Sequence, residues 1–106
     1  MSNLRDIHKG FEQKFAMDEE SKFKAMARRN KLLGLWAAEK LGKTGADADA
    51  YAQEVVRADF EEAGDNDVLR KVRADFDAAG VVEPDGQIRA MMEQLMMTAV
   101  EQIKKT

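Results

Sequence analysis

The hydrophobic residues of this chain recur at helical spacing, most densely between Phe23 and Gly42. Steps of three and four residues place one set of them on a single helical face. A second set around Trp36 adds another apolar face, so several neighbours must bury this segment. We therefore predict that residues 32–41, with Trp36 buried among them, form the centre of a helical core. The two sets are Phe23, Met26, Ala27, Asn30, Leu33, Gly34, Ala37 and Leu41, and Leu32, Leu35, Trp36 and Ala38.

Three further helices are predicted after a glycine-containing loop that holds the candidate N-caps Thr44 and Asp47. Gly64 and Gly80 are predicted to end the second and third helices, and Pro84 suits the first turn of the fourth. Short connections make consecutive helices antiparallel neighbours, so the predicted fold class is all-α, a four-helix bundle. The predicted inward side chains are Ala48, Tyr51, Ala52, Val55, Val56, Phe60 and Ala63, then Val68, Leu69, Val72, Phe76 and Ala79, then Ile88, Met91, Met92, Leu95, Met96, Ala99, Val100 and Ile103.

The second and third predicted helices share a motif. Residues 57–64 read RADFEEAG and residues 73–80 read RADFDAAG. A spacing of this length is too short for a solenoid repeat. We interpret the motif as one helix ending used twice, with Phe60 and Phe76 directed toward the core and a glycine closing each helix.

The first residues of the chain form a weaker amphipathic segment, which we call the N-terminal arm (residues 1–18). Gly10 lies within it and lowers helical stability by about 1 kcal/mol relative to alanine. An isolated helix of this length is marginal in water. We therefore predict a mobile arm followed by a bundle domain over residues 19–106. The apolar stripe of the arm holds Leu4, Ile7, Phe11 and Phe15, with His8 and Lys14 beside it.

Composition and charge narrow the function classes. The chain of 106 residues has no cysteine, no apolar run of membrane-spanning length and no signal peptide, so we predict one soluble cytoplasmic domain. The net charge of −3 disfavours a general nucleic-acid binder. Residues 1–43 carry ten basic and six acidic residues, a net charge of +4, whereas residues 44–106 carry seven and fourteen, a net charge of −7. This asymmetry is typical of a self-complementary bundle or a partner surface.

Few residues are candidates for chemistry. His8 is the only histidine, and without cysteine it supports neither a zinc site nor a catalytic base well. Asp59 and Asp75 recur in the repeated motif, where surface pairs with Arg57 and Arg73 are the better interpretation than a catalytic carboxylate pair. The sequence GKTG at residues 42–45 lacks the upstream glycine and the strand of a phosphate loop. We therefore predict no catalytic residue, no metal and no enzyme.

Two groups of residues have two interpretations each. The basic residues Arg28, Arg29 and Lys31 could hold a phosphate or carboxylate, or could form a solvated face that pairs with acidic helices. The methionine pairs at residues 91–92 and 96–97 could line an adaptable groove, although core filling is the stronger interpretation for Met92 and Met96. Met97 is then the member expected at the surface.

A specific resemblance covers nearly the whole chain. The segments that carry it are FEQKFAMDEE at residues 11–20, FKAMARRNKLLGLWAA at 23–38, YAQEVV at 51–56, ADFEEAGD at 58–65 and VLRKVRAD at 68–75. They resemble the zeta subunit family, the ATPase inhibitor of alphaproteobacterial F-type ATP synthases. The sequence departs from the family pattern at His8 and Gly10.

The resemblance implies a four-helix bundle whose N-terminal segment enters a catalytic interface of the ATP synthase head and blocks ATP hydrolysis. It also implies peripheral attachment at the inner membrane through the ATP synthase, and weak binding of ADP or ATP by the bundle. We expect a monomer when the protein is free, with no nucleic-acid partner. Within the arm, Phe11, Lys14 and Phe15 match the family best, and with Leu4 and Ile7 of the apolar stripe they are the predicted partner-binding residues. The basic residues Arg28, Arg29 and Lys31 are the candidates for the nucleotide because of their charge.

Two other functions compete with inhibition. The first is a small helical module that binds adenine nucleotide weakly and acts as a sensor or scaffold. The second is a helical protein that binds nucleic acid through Arg28, Arg29 and Lys31. The acidic net charge and the lack of aromatic residues among these cations disfavour nucleic-acid binding.

Overall fold

A computed structural model of the protein describes residues 18–60 and 66–105, which form four α-helices and, within these ranges, no strand. The all-α four-helix fold predicted from the sequence is confirmed. The N-terminal arm lies outside the described residues except for Asp18. The helices are α1 (Glu19–Lys40), α2 (Gly45–Ala58), α3 (Asn66–Ala79) and α4 (Asp85–Lys105).

Glycine closes two of the helices. Gly80 adopts a φ of 73°, and its N–H donates to the carbonyl of Asp77 at 3.2 Å while the N–H of Val81 donates to the carbonyl of Phe76 at 2.8 Å. This pair of bonds satisfies carbonyls that the end of a helix leaves free, and the left-handed glycine makes the turn without a Cβ clash. Gly42 closes α1 with the same pair of bonds and a φ of 78°. The predicted stop at Gly80 is therefore confirmed.

The beginnings of α2 and α4 differ slightly from the prediction. Thr44 takes the N-cap position of α2, as expected, but its side chain makes no capping bond; its carbonyl accepts from the N–H of Asp47 at 3.1 Å. Because α2 begins at Gly45, Asp47 lies in the first turn, where a negative charge suits the helix dipole. Helix α4 starts near Pro84, as predicted, but Pro84 lies immediately before its first residue, Asp85, rather than in the first turn.

Helix α1 is the central element and packs most extensively against α2 and α4. Its contact with α2 is close: a Cβ placed on Gly34 would lie 2.5 Å from the Cα of Ala52. The same pair of helices brings the ring of Phe23, near the start of α1, to that of Phe60, after the end of α2. These contacts show that α1 and α2 are antiparallel, as predicted.

The core lies around the second half of α1. Phe76 is completely buried and packs edge-on against Trp36, with ring centroids 5.8 Å apart. Leu33, Ala37 and Ala38 of the predicted core segment 32–41 are buried, as expected. The prediction that Trp36 is buried among them is wrong, because Trp36 is only partly buried and the ammonium of Lys40 lies 5.4 Å from its ring centroid. The core cluster consists of Leu33, Ala37, Ala38, Tyr51, Val55, Val68, Leu69, Val72, Phe76, Ile88 and Met92.

Among the residues that the structure describes, three that were predicted in the core are exposed. Phe60 is 66% exposed and Phe23 is 57% exposed, and Ala79 also lies at the surface. Phe60 lies outside the core because α2 ends at Ala58. Helical periodicity therefore no longer determines the direction of its side chain. Ala79 is the last residue of α3, where the chain turns away from the core at Gly80. Met97 is 51% exposed, as predicted.

Candidate functional site

The start of α1 is the point at which the N-terminal arm joins the bundle. Asp18 is the N-cap of α1, and its Oδ1 accepts a hydrogen bond from the backbone N–H of Ser21 at 2.8 Å. This bond satisfies one of the amides that a helix start leaves free. The same bond, together with one from the Ser21 side chain, lowers the pKa of Asp18 below its ordinary value. The sequence analysis missed this cap.

Next to this junction the bundle carries an exposed pair of aromatic rings, which we call the aromatic patch (Phe23 and Phe60). Their centroids are 6.0 Å apart and the ring planes are tilted by 40°. Both rings are more than half exposed, although the helical pattern predicted them in the core.

The three basic residues proposed for nucleotide binding do not share one surface. Arg28 is exposed and donates to the side-chain oxygen of Gln102 at 3.4 Å, and Lys31 is also exposed. Arg29 is only 2% exposed, and its Nε donates to Oδ1 of the buried Asn30 at 2.8 Å. The expectation that Arg29 is solvated is therefore wrong. The physical reason is its position four residues before Leu33, which places both on the buried face of α1.

Burial of Arg29 changes what the basic cluster can offer a ligand. A buried guanidinium needs partners, and within the described ranges no buried side-chain nitrogen or oxygen lacks a hydrogen bond. Arg28 and Lys31 are the two members whose charges are exposed. Binding of ADP or ATP by these residues stays a prediction.

A polar network joins α2 to α3 where a carboxylate pair was considered. The hydroxyl of Tyr51 donates to Oδ2 of Asp75 at 2.8 Å, and Lys71 donates to the same oxygen at 3.0 Å and to Glu54 at 3.1 Å. Asp75 therefore pairs with Lys71 rather than with Arg73, which corrects the expected surface pair. Burial, followed by the bond to Asp75, raises the pKa of Tyr51 above its ordinary value.

Lys71 is held in its charged form by this network. Desolvation alone would lower the pKa of Lys71, but its hydrogen bonds to Asp75 and Glu54 outweigh that effect, so the pKa is raised. Its ammonium also lies 5.1 Å from the ring centroid of Tyr51. The network therefore connects α2 to α3 through a charged lysine.

Arg73 holds the connection between α3 and α4. It forms ion pairs with Asp77 at 3.0 Å and with Asp85 at 3.2 Å, and it donates to the carbonyl of Glu83. The side chain of Glu83 lies 3.8 Å from Lys40, at the end of α1. These contacts fix the connection at the end of the bundle opposite the aromatic patch.

The family of the chain follows from its match along almost the full length. A family model described as ATPase inhibitor subunit zeta matches residues 1–102. The chain belongs to this family. The match includes the N-terminal arm as well as the four helices, and it confirms the resemblance on which the sequence analysis relied.

A solved structure is similar to this zeta-family chain. It is described as a solution NMR structure, is 56% identical and aligns with a TM-score of 0.71. The alignment covers 79% of this chain and 95% of the other. No match was found among curated proteins. The four-helix architecture is thus shared with an experimentally determined relative.

The remaining site predictions for this zeta-family chain concern residues outside the described ranges. They are the partner-binding residues Leu4, Ile7, Phe11, Lys14 and Phe15, together with His8. Within residues 18–60 and 66–105, no group of three histidine, cysteine, aspartate or glutamate side chains is placed to hold a metal ion. None of the helices in the same part of the chain combines the length and the hydropathy needed to cross a bilayer.

Proposed function

We propose that this chain inhibits ATP hydrolysis by an F-type ATP synthase and that the N-terminal arm enters a catalytic interface of the synthase head to do so. The single observation that carries the proposal is the family match, because it spans both the arm and the bundle. In this proposal the chain is a regulatory subunit without a reaction of its own. It is a monomer when free and meets the inner membrane only through the synthase.

The division of the chain at Asp18 supports a separate role for the arm. Helix α1 starts at Glu19 with its own N-cap, and side chains from all four helices fill the described core. An amphipathic segment that precedes a capped helix can bind a groove in a partner through apolar residues spaced three and four apart. The stripe from Leu4 to Phe15 has that spacing.

Binding through the arm requires the arm to become ordered, and that ordering subtracts several kcal/mol from the affinity. Gly10 adds about 1 kcal/mol to this cost relative to alanine. Gly10→Ala should therefore strengthen inhibition by roughly five-fold, because the variant arm becomes helical more easily. Phe11→Ala should weaken inhibition, because it removes an apolar anchor.

The experiment is a titration of ATP hydrolysis by the purified synthase with the full chain and each variant. Val82→Ala is the matched control, since Val82 is 92% exposed on the connection between α3 and α4. We expect Gly10→Ala to inhibit at lower concentration, Phe11→Ala at higher concentration and Val82→Ala at the wild-type concentration. Unchanged inhibition by both arm variants would show that the arm is not the inhibitory element.

A further inference from the structure

We propose that the aromatic patch is a second contact surface for the ATP synthase, packing against an apolar depression of its catalytic head beside the site where the arm enters. This inference rests on the proposed function. It assigns part of the binding to the folded bundle. The residues concerned, Phe23 and Phe60, are ones that the sequence had predicted in the core.

The position of the patch follows from where the arm ends. Phe23 lies five residues after Asp18, which is about 7.5 Å along the axis of α1. The three residue steps from Phe15 to Asp18 span at most about 11 Å even when fully extended. A partner that holds the arm at Phe15 therefore lies within roughly 20 Å of Phe23. In this proposal, arm insertion brings the patch close to the partner.

The composition of this surface is that of a protein contact. Large apolar side chains at its centre are bordered by charged residues that remain in water, the arrangement found at binding hot spots. The centre is Phe23 and Phe60, at 57% and 66% exposure. The neighbouring charged residues of α1 form two ion pairs, Lys22 with Glu19 at 3.7 Å and Lys24 with Glu20 at 3.3 Å.

The patch is also held in place before any partner arrives. Its two rings belong to different elements, Phe23 to α1 and Phe60 to the turn that follows α2, and they contact each other. The approach of these helices is fixed further along by Gly34, which packs against the backbone of Ala52. Rings that are already positioned lose little conformational freedom on binding, so most of their burial contributes to affinity.

Two other occupants of the patch predict different outcomes. If the arm of the same chain covered the patch, removing the rings would release the arm and strengthen inhibition. If a second copy of the chain covered it, removing the rings would dissociate a dimer and leave inhibition by the monomer unchanged. A contact with the synthase predicts weaker inhibition, so the direction of the change identifies the occupant.

The test is a titration of ATP hydrolysis by the purified synthase with full-length Phe23→Ser and Phe60→Ser. We expect each variant to require about ten-fold more protein for half inhibition, the loss typical of removing an aromatic hot spot. Val82→Ser is the matched control, because Val82 is 92% exposed and the adjacent Glu83 pairs with Lys40 at the far end of α1. Thermal unfolding should give wild-type midpoints for all three variants.

The outcomes separate this inference from the proposed function. Phe11→Ala in the same assay tests the arm alone, so inhibition that responds to Phe11→Ala but not to the patch variants overturns only the second contact. Tighter inhibition by Phe23→Ser would overturn it in favour of the arm. A dimer in sedimentation that Phe23→Ser dissociates, with inhibition unchanged, would overturn it in favour of self-association.

Discussion

The phenylalanines in the two copies of the RADF motif differ in burial. Phe76 is completely buried in α3 and packs against Trp36, whereas Phe60 lies just beyond α2 and is 66% exposed. The residues before and including each phenylalanine are identical. Local sequence therefore does not decide burial here. What differs is the helix: α3 continues through Phe76 to Ala79, whereas α2 ends at Ala58, two residues before Phe60.

The same contrast divides α1 itself. Its second half holds Leu33 and Ala37, which are completely buried, and its first half presents Phe23 to solvent. A stable domain needs the first of these surfaces and a partner can use the second. In the function that we propose, Phe23 at the start of α1 serves recognition, while Leu33 and Ala37 stabilise the domain.

The largest expected effect comes from truncating the two phenylalanines in turn. Phe76→Ala should lower the free energy of unfolding by about 3–5 kcal/mol, because it empties a fully buried site. Phe60→Ala should change it by no more than about 0.5 kcal/mol, as is usual at exposed positions. Trp36→Ala should fall between them, since Trp36 is only partly buried. Denaturant titration measures all three, and equal losses from Phe76→Ala and Phe60→Ala would contradict the assignment.

A second substitution tests whether the packed half of α1 tolerates any added volume. Gly34→Ala would place a Cβ 2.5 Å from the Cα of Ala52, a backbone atom that cannot rotate away. We expect a loss of about 1–3 kcal/mol in the free energy of unfolding. Gly86→Ala is the control, since a Cβ there meets nothing within 4 Å and should stabilise α4 by up to about 1 kcal/mol. A neutral Gly34→Ala would mean that α1 and α2 are further apart.

A smaller effect is expected at the polar contact between α2 and α3. Tyr51→Phe removes the hydrogen bond to Asp75 and should cost about 0.5–1.5 kcal/mol. Tyr51 is the only tyrosine, so the ultraviolet absorbance of tyrosinate reports on it alone. Because its pKa is raised, the folded protein should form little tyrosinate as the pH passes the ordinary value of 10. Half-ionisation at that pH in the folded state would contradict the buried hydrogen bond.

Because the pKa of Tyr51 is raised, this residue makes the free energy of unfolding fall at alkaline pH. Below pH 10 both the folded and the unfolded protein keep the proton, so the contribution of this group is fully present. Above that pH the unfolded state releases its proton first, and the free energy of unfolding falls. Tyr51→Phe should remove this part of the alkaline decline.

The smallest effect is expected at the junction with the arm. Asp18→Ala should destabilise the first turn of α1 and speed amide exchange at Ser21, because the capping bond is lost. Glu20→Ala, in the same turn, is the control. The pKa of Asp18 is lowered, so the cap contributes above the ordinary value of 3.8 and is lost only as the pH falls through the lower folded value. A Ser21 amide shift that titrates at or above 3.8 would contradict the bond.

Much of the fold could be predicted from the sequence. The number of helices and the glycine stop at Gly80 follow from periodicity and backbone conformation, which are local. The burial of Arg29 could also have been found, since it lies one helical turn before Leu33 on the same face. The exposure of Phe60 could not, because it depends on where α2 ends relative to its neighbours.

The candidate site, like the fold, could be predicted only in part from the sequence. The apolar stripe of the arm is visible as a pattern because it is repeated along the sequence. The aromatic patch is not, because Phe23 and Phe60 are 37 residues apart and meet only through the packing of α1 on α2. A surface made by two helices needs their relative position, which helical periodicity does not contain.

The central claim, that the arm enters the synthase while the far end of the bundle stays outside, can be tested by placing a photoreactive label at single sites. The chain has no cysteine, so Gln13→Cys in the arm and Val82→Cys beside Glu83 each give one labelled position. With the purified synthase, we predict crosslinks from position 13 to its catalytic subunits and none from position 82. Crosslinks from position 82 but not from position 13 would contradict the account.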